Sequence, residues 1–326
     1  MNKGLLQLIK TVLSGIKIGK RVSDKIAIFR ILTRHVLVNR GLAKFSGNLH
    51  KPIGCSEMNK IRKLLEILYF AVSFGKNVRS RLFLFYLLLR PAFGKSKSNI
   101  EHVYQLYCQF NKKEVNLSLR PVDVIILREI FEWQDYKVVQ KYEYKPKVIW
   151  DIGANVGLAG LYFYCLYPEA MIVGFEPSDK EYNLACKNYK NIPRHKIFNI
   201  ALGKENTSAN FLSDTKRAGG QCLEMHRPNA DYFWERKQVS VRRAESLIEA
   251  QECDIPDMLK IDVEGGEYDV LTGFSEYLHY VREIMIEIHT TDLYEKCRSL
   301  VEQYGFRIYQ EEKKSNTDVR FVCFVK

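Results

Sequence analysis

Residues 148–157 read Val-Ile-Trp-Asp-Ile-Gly-Ala-Asn-Val-Gly. That order leaves few options for the chain. Val148, Ile149 and Trp150 form a short apolar run, the pattern of a strand buried on both faces. Gly153 and Gly157 bracket a turn, where glycine permits positive φ and lets backbone approach a ligand closely. From Leu158 the spacing becomes helical, with Leu161, Tyr162, Cys165 and Leu166 on one side until Pro168 stops it. Strand, glycine turn and helix follow in sequence, and an acid closes the strand.

A second apolar run, Met258–Val263, leads into Leu-Lys-Ile-Asp-Val-Glu-Gly-Gly-Glu at residues 259–267. Between the two, Met171–Phe175 reads as the next strand and ends in Glu176-Pro177-Ser178. Glu176 lies roughly 20 residues past the first glycines, where a doubly wound fold sets a carboxylate on ribose hydroxyls. The glycine spacing is Gly-x-x-x-Gly, not the dinucleotide pattern, and Asp151 would sit badly beside a diphosphate. A nicotinamide dehydrogenase is therefore disfavoured. Asp151 suits a cofactor with a cationic end, such as the amino acid moiety of S-adenosylmethionine.

Several blocks in order resemble the FkbM family of S-adenosylmethionine-dependent methyltransferases. They are Leu119-Arg120-Pro121-x-Asp123, Asp151–Gly157, Glu176-Pro177-Ser178, Ala201-Leu202-Gly203, Lys260–Glu267 and Glu287-Ile-His289, covering roughly residues 118–326. One block departs from the family pattern: Arg243-Ala244-Glu245 stands where Thr-Leu-Asp is usual. The resemblance implies a class I methyltransferase fold, an α/β Rossmann-like architecture. Its mostly parallel seven-stranded sheet has an antiparallel last strand. It also implies methylation of hydroxyls on small molecules, sugars or glycans.

On this reading Asp151, Gly153, Ala154, Asn155 and Gly157 surround the methionine end of S-adenosylmethionine. Glu176 and Pro177 meet the ribose, and Ala201 and Leu202 the adenine. Asp262, Glu264 and His289 converge if the strands they close are neighbours. They are the catalytic candidates, His289 or Asp262 as base and Glu264 with Glu267 as orienting groups. Glu267 also fits as a plain acid at a helix start. A divalent metal on Asp262, Glu264 and His289 stays an open alternative, and no residue is assigned as a metal ligand.

The walk from strand to strand places strand three at His195–Ala201 and an extra strand at Phe211 and Leu212. Strand five is Ile284–Ile288, and Phe306–Tyr309 with Val319–Val325 form a closing antiparallel pair. Residues 121–140 read as a helix. The stretch 214–237, with Gly219-Gly220, His226 and the aromatics Tyr232, Phe233 and Trp234, breaks the alternation. It suits either an acceptor-site lid or plain packing.

Charge divides the chain. Residues 1–100 hold 20 Lys/Arg against three acids, net +17, whereas residues 101–326 hold 30 against 35, net −5. The expected organisation is a basic, mainly helical region over 1–100 and a methyltransferase domain over 101–326. Leu5, Ile9, Val12, Leu13 and Ile16 share a helical face beside Lys3, Lys10 and Lys17. Such a helix lies on an anionic membrane surface or packs on its own domain. Leu82–Leu89 reads as a buried helix or a shallow membrane contact, and no apolar run reaches bilayer length. Gly94–Asn99 reads as a linker. Nucleic acid ranks low as a partner, because the basic residues alternate with long aliphatic stretches. The eight cysteines contain no Cys-x-x-Cys pair and suit a reducing cytoplasm. The expected place is therefore cytoplasmic, peripheral on the inner membrane face. Two other functions compete: a soluble methyltransferase for a small metabolite, and a methyltransferase-like module that binds without catalysing.

Overall fold

The computed structural model describes residues 55–89, 101–134, 136, 144–213, 221–226, 234–315 and 317–326. The first amphipathic segment, the Gly94–Asn99 linker and most of the 214–237 insertion lie outside these. The chain divides into two units, Met1–Lys95 and Ser96–Lys326.

In the first unit, helices α1 (Cys55–Phe74) and α2 (Val78–Leu89) are described. Leu84, Leu87 and Leu88 are buried on α2, while Val78, Leu82 and Tyr86 are more than half exposed. Those three recur four residues apart and so share a face. Among the described residues, no helix is long and apolar enough to cross a membrane.

The second unit opens with an antiparallel hairpin, β1 (Tyr104–Phe110) and β2 (Lys113–Leu119), that the sequence reading did not foresee. Its turn residues Asn111 and Lys112 both have positive φ, 44° and 66°, the turn that follows strand twist. The expected helix over 121–140 is helical from Pro121 to Trp133, while residues 135 and 137–140 lie outside the described ones. A single 3₁₀ turn, the short α3 (Val124–Arg128) and a π turn through Trp133 end at Gln134 in left-handed conformation. Arg120 starts this segment, buried between Asp123 at 2.8 Å and Glu181 at 2.9 Å.

The main body then alternates: β3 (Val148–Ile152), α4 (Leu158–Leu166), β4 (Met171–Phe175), α5 (Asp179–Tyr189) and β5 (His195–Phe198). Four strands follow, β6 (Ala201–Leu202), β7 (Thr207–Ser213), β8 (Cys222–Leu223) and β9 (Glu235–Arg242). Alternation resumes with α6 (Ala244–Glu249), β10 (Met258–Ile261), α7 (Glu267–Thr272), β11 (Glu283–Ile288) and α8 (Thr291–Gln303). The hairpin β12 (Arg307–Lys313) and β13 (Arg320–Val325) closes the chain.

Seven strands form the central sheet in the order β12-β13-β11-β10-β3-β4-β5, and β13 alone runs against the rest. This is the class I methyltransferase topology. Ala201 does not continue strand three. It belongs with Leu202 to a separate four-stranded sheet, β6-β9-β7-β8. Two residues are too few to show a period of their own, so the sequence runs them on from β5. Trp150, Ile152, Leu259, Ile261, Ile284 and Ile286 are fully buried, the interior of a sheet covered on both faces. Because all the parallel strands point the same way, their carboxyl ends meet on one rim.

Candidate active site

A cavity of about 540 Å³ opens along that rim. One part of its wall is the turn after β3. Gly153 and Ala154 both donate their N–H to the Phe175 carbonyl at 3.0 Å, which pins the turn to β4. Gly153 has φ +76°, and a Cβ there would stand 1.8 Å from the Asp262 carbonyl oxygen. Only glycine lets β3 and β10 end so close together.

Glu176 is buried in the same wall. Its two carboxylate oxygens accept from the N–H of Asn155 and of Ser178, each at 2.8 Å. Burial pushes this carboxyl up to about 7, against those two N–H groups and the Lys260 charge. Each oxygen keeps a lone pair for a further donor. Pro177, Ile200, Ala201 and Leu202 continue the wall as apolar surface beside it.

Asp151 lies elsewhere than the sequence suggests. It is fully buried behind the turn, not on the cavity wall. Successive strand side chains face opposite ways, so position at a strand end does not fix which way an acid points. Asp151 Oδ2 accepts from Gly160 N at 3.0 Å and from the Tyr189 hydroxyl at 2.9 Å. Its Oδ1 is 3.2 Å from Lys260 Nζ. Tyr189 reaches it because residue 160 has no side chain; a Cβ there would be 2.3 Å from the Tyr189 oxygen. Gly157 likewise sits behind the wall, its φ of +82° starting α4.

Lys260 and Tyr189 were not singled out by the sequence reading. The signal for Lys260 was a cation inside an otherwise apolar strand. It lines the cavity and donates to the Gly153 carbonyl at 2.7 Å. Burial opposes its charge, but Asp151 and Asp262 outweigh burial and raise it above the ordinary lysine range.

The three catalytic candidates do come together. Asp262, Glu264 and His289 each offer a donor atom, and these atoms lie within 4.8 Å of one another. Asp262 and Glu264 line the cavity. His289 Nε2 is 3.3 Å from Glu264 Oε2 and 3.7 Å from Glu287 Oε1. Its Nδ1 is 2.8 Å from Oε1 of Glu267, which is fully buried at the start of α7. Burial works against a charged His289, but the bond to Glu267 and the charges of Asp262, Glu267 and Glu264 prevail and raise it to about 9. Lys314 donates to both oxygens of Glu287, at 2.9 and 2.8 Å.

Beyond this cluster the wall is aromatic, with Trp133, Tyr136 and Phe321. His226 also lines the cavity, against Gly265 and Gly266. The sequence reading placed it in the insertion without a role. Of the lid aromatics expected there, Tyr232 and Phe233 fall outside the described residues.

A family model described as the methyltransferase FkbM domain matches residues 151–308. Those residues, just under half of the chain, are similar to that family's domain. The match runs from the acid of β3 into β12 and so holds both the turn and the cluster. The chain is 25% identical over 180 residues to Methyltransferase 1 of Beauveria bassiana, covering 49% of this chain and 72% of that one. It is 28% identical over 170 residues to the 2-O-methyltransferase NoeI of Sinorhizobium fredii, covering 49% and 70%. With the hexuronic acid methyltransferase AglP of Haloferax volcanii the identity is 27% over 144 residues, covering 44% and 56%. The protein is an S-adenosylmethionine-dependent methyltransferase whose residues 151–308 match the FkbM domain.

The wall fits that methyl donor by its own chemistry. The buried Glu176 carboxylate suits two vicinal hydroxyls, the apolar strip at Ala201 and Leu202 suits a purine, and the close turn at Gly153 leaves backbone facing the cavity.

Proposed function

We propose that the FkbM domain methylates a hydroxyl group of a sugar, a glycan or a lipid-linked glycan. The observation that carries this reading is one cavity with two chemically distinct ends. One end is Glu176 with the apolar strip; the other is the acid–imidazole cluster with aromatic walls. Two of the sequence relatives are named for a 2-O-methyl transfer and for a hexuronic acid, which supports a sugar acceptor.

Bound S-adenosylmethionine supplies a methyl group already activated by the sulfonium charge. Asn155 and Gly153 hold its methionine end, Ala154 and Pro177 flank it, Glu176 accepts from the ribose hydroxyls, and Ala201 with Leu202 contact the adenine. Asp151 acts from behind, by fixing Lys260 and the first turn of α4. The Asp262 carboxylate takes the acceptor's proton as the new C–O bond forms. A protonated His289 has no free lone pair at Nε2, so it orients Glu264 and Asp262 instead. Trp133 and Tyr136 offer flat faces to a sugar ring.

Calorimetry with S-adenosylhomocysteine tests the cofactor end. Glu176→Ala should weaken binding by roughly 1–3 kcal/mol, the cost of unpairing polar groups. Unchanged affinity removes that assignment. Incubation with S-adenosylmethionine and uronic acid or amino sugar glycosides, read by mass spectrometry, tests the acceptor end. A product one methyl group heavier supports the reading. Methylation confined to small non-sugar metabolites would favour a soluble metabolite enzyme, and absence of any cofactor binding a non-catalytic module.

We also propose that residues 1–100 rest on an anionic membrane surface, which would place the enzyme at the inner face of a cytoplasmic membrane. Their net charge of +17 and the exposed stripe of Val78, Leu82 and Tyr86 support this.

A further inference from the structure

The acid–imidazole cluster is centred on His289. Asp262, Glu264, Glu267 and Glu287 surround one imidazole, and the lysines nearby have partners of their own: Lys314 on Glu287 and Lys260 on Asp151. Glu267 is fully buried. Its Oε1 accepts from Gly265 N and from His289, and its Oε2 has no hydrogen-bond partner.

The two ring nitrogens of His289 have different surroundings. Nδ1 faces a carboxylate oxygen that can only accept, so Nδ1 carries a proton. Nε2 is then the nitrogen that points at Glu264, which lines the cavity. A histidine held at one nitrogen by a buried carboxylate, with the other turned toward further carboxylates, is the usual arrangement of an imidazole that ligates a metal.

We propose that Asp262, Glu264 and His289 hold a divalent cation that binds the acceptor hydroxyl. Two carboxylates and one imidazole suit a hard ion that tolerates a nitrogen ligand, with Mn²⁺ the best match. Three protein ligands leave coordination positions open to the cavity. With the ion bound, His289 would give up its Nε2 proton to ligate it, and Asp262 would serve as a ligand in place of its role as base. An acceptor hydroxyl on the ion would be more acidic and would lose its proton to bulk water. The S–CH₃ bond then breaks as the O–CH₃ bond forms, and the thioether leaves uncharged. This deepens the proposed function and rests on it for the acceptor. The cation site itself does not depend on which sugar is used.

The test uses the full chain stripped with chelator. Mn²⁺ is titrated in and the free ion followed by electron paramagnetic resonance, with Mg²⁺ and Zn²⁺ as competitors. S-adenosylhomocysteine calorimetry is run on the same sample. One stoichiometric Mn²⁺ site is expected. Glu264→Gln should weaken it at least about tenfold, and Glu267→Gln, which touches no ion, by about 10–100-fold. Stoichiometric S-adenosylhomocysteine binding with no Mn²⁺, Mg²⁺ or Zn²⁺ site overturns the cation and leaves the methyltransferase reading standing. Failure to bind S-adenosylhomocysteine overturns that reading instead. Variants that bind Mn²⁺ like the parent chain also overturn the site, and the parent titration decides the matter if a variant does not fold.

Discussion

Lys260 and Asp151 are paired register neighbours on adjacent parallel strands, and Lys260 Nζ stands 3.2 Å from Asp151 Oδ1 with both side chains buried. The same ammonium donates to the Gly153 carbonyl at 2.7 Å. One buried cation therefore joins the end of β10, the end of β3 and the turn that walls the cavity. Removing one partner of such a pair leaves a buried charge with nothing to offset it. Lys260→Met should cost about 3–5 kcal/mol in urea denaturation. The double variant Lys260→Met with Asp151→Asn should recover part of that loss. A double variant as unstable as the single one would show that the pair is not the source.

The pH dependence of cofactor binding follows from Glu176, which burial lifts to about 7. Ribose hydroxyls donate to the ionised carboxylate, so binding favours loss of its proton. Affinity for S-adenosylhomocysteine should fall as pH drops through that value, by up to about tenfold per pH unit. The unliganded fold behaves oppositely. Its carboxyl holds a proton more tightly than the unfolded chain does, so this group's contribution to stability declines as pH rises from the ordinary carboxylate range through about 7. Glu176→Gln should flatten both trends. Calorimetry in buffers of different ionisation enthalpy counts the protons released.

Two glycines with positive φ separate strain from collision. A Cβ at Gly153 would lie 1.8 Å from the Asp262 carbonyl, whereas one at Gly305, φ +85°, would meet nothing within 4 Å. Gly305→Ala should cost about 1–2 kcal/mol, the conformational penalty alone. Gly153→Ala should cost more, because β3 and β10 must move apart, and it should also abolish S-adenosylhomocysteine binding. Equal losses in urea denaturation would contradict the close approach.

For the basic first hundred residues, co-sedimentation with anionic vesicles is expected at low salt and should weaken at high salt. Leu82→Asp together with Tyr86→Asp should reduce it, since both side chains are more than half exposed. Failure to sediment at either salt concentration removes the membrane proposal.

Much of the sheet was legible because parallel strands buried on both faces appear as largely apolar runs: Val148–Trp150, Met171–Phe175, and Met258–Ile261 with Lys260 as its one interruption. The antiparallel closing pair was legible too. The β1–β2 hairpin was not, since its Asn111-Lys112 turn lacks the usual glycine. The stretch expected as a helix over 121–140 is helical through Trp133, changing from 3₁₀ to α to π along the way, and it stops where Gln134 takes positive φ. At the site, the positions of Asp262, Glu264 and His289 followed from three residues closing two strands. Lys260 was missed, because its neighbours across the sheet are distant in the chain.

By itself the sequence determined where strands end in acids and glycines, and hence the fold and the kind of ligand its rim can hold. The tertiary structure decided which of those acids face the cavity: Glu176, Asp262 and Glu264 do, while Asp151 turns inward to Lys260 and Tyr189. The physical reason is that apolar runs and turns are local properties of the chain. The direction of a strand-end side chain depends on pleat, register and the partners that pair with it across the sheet.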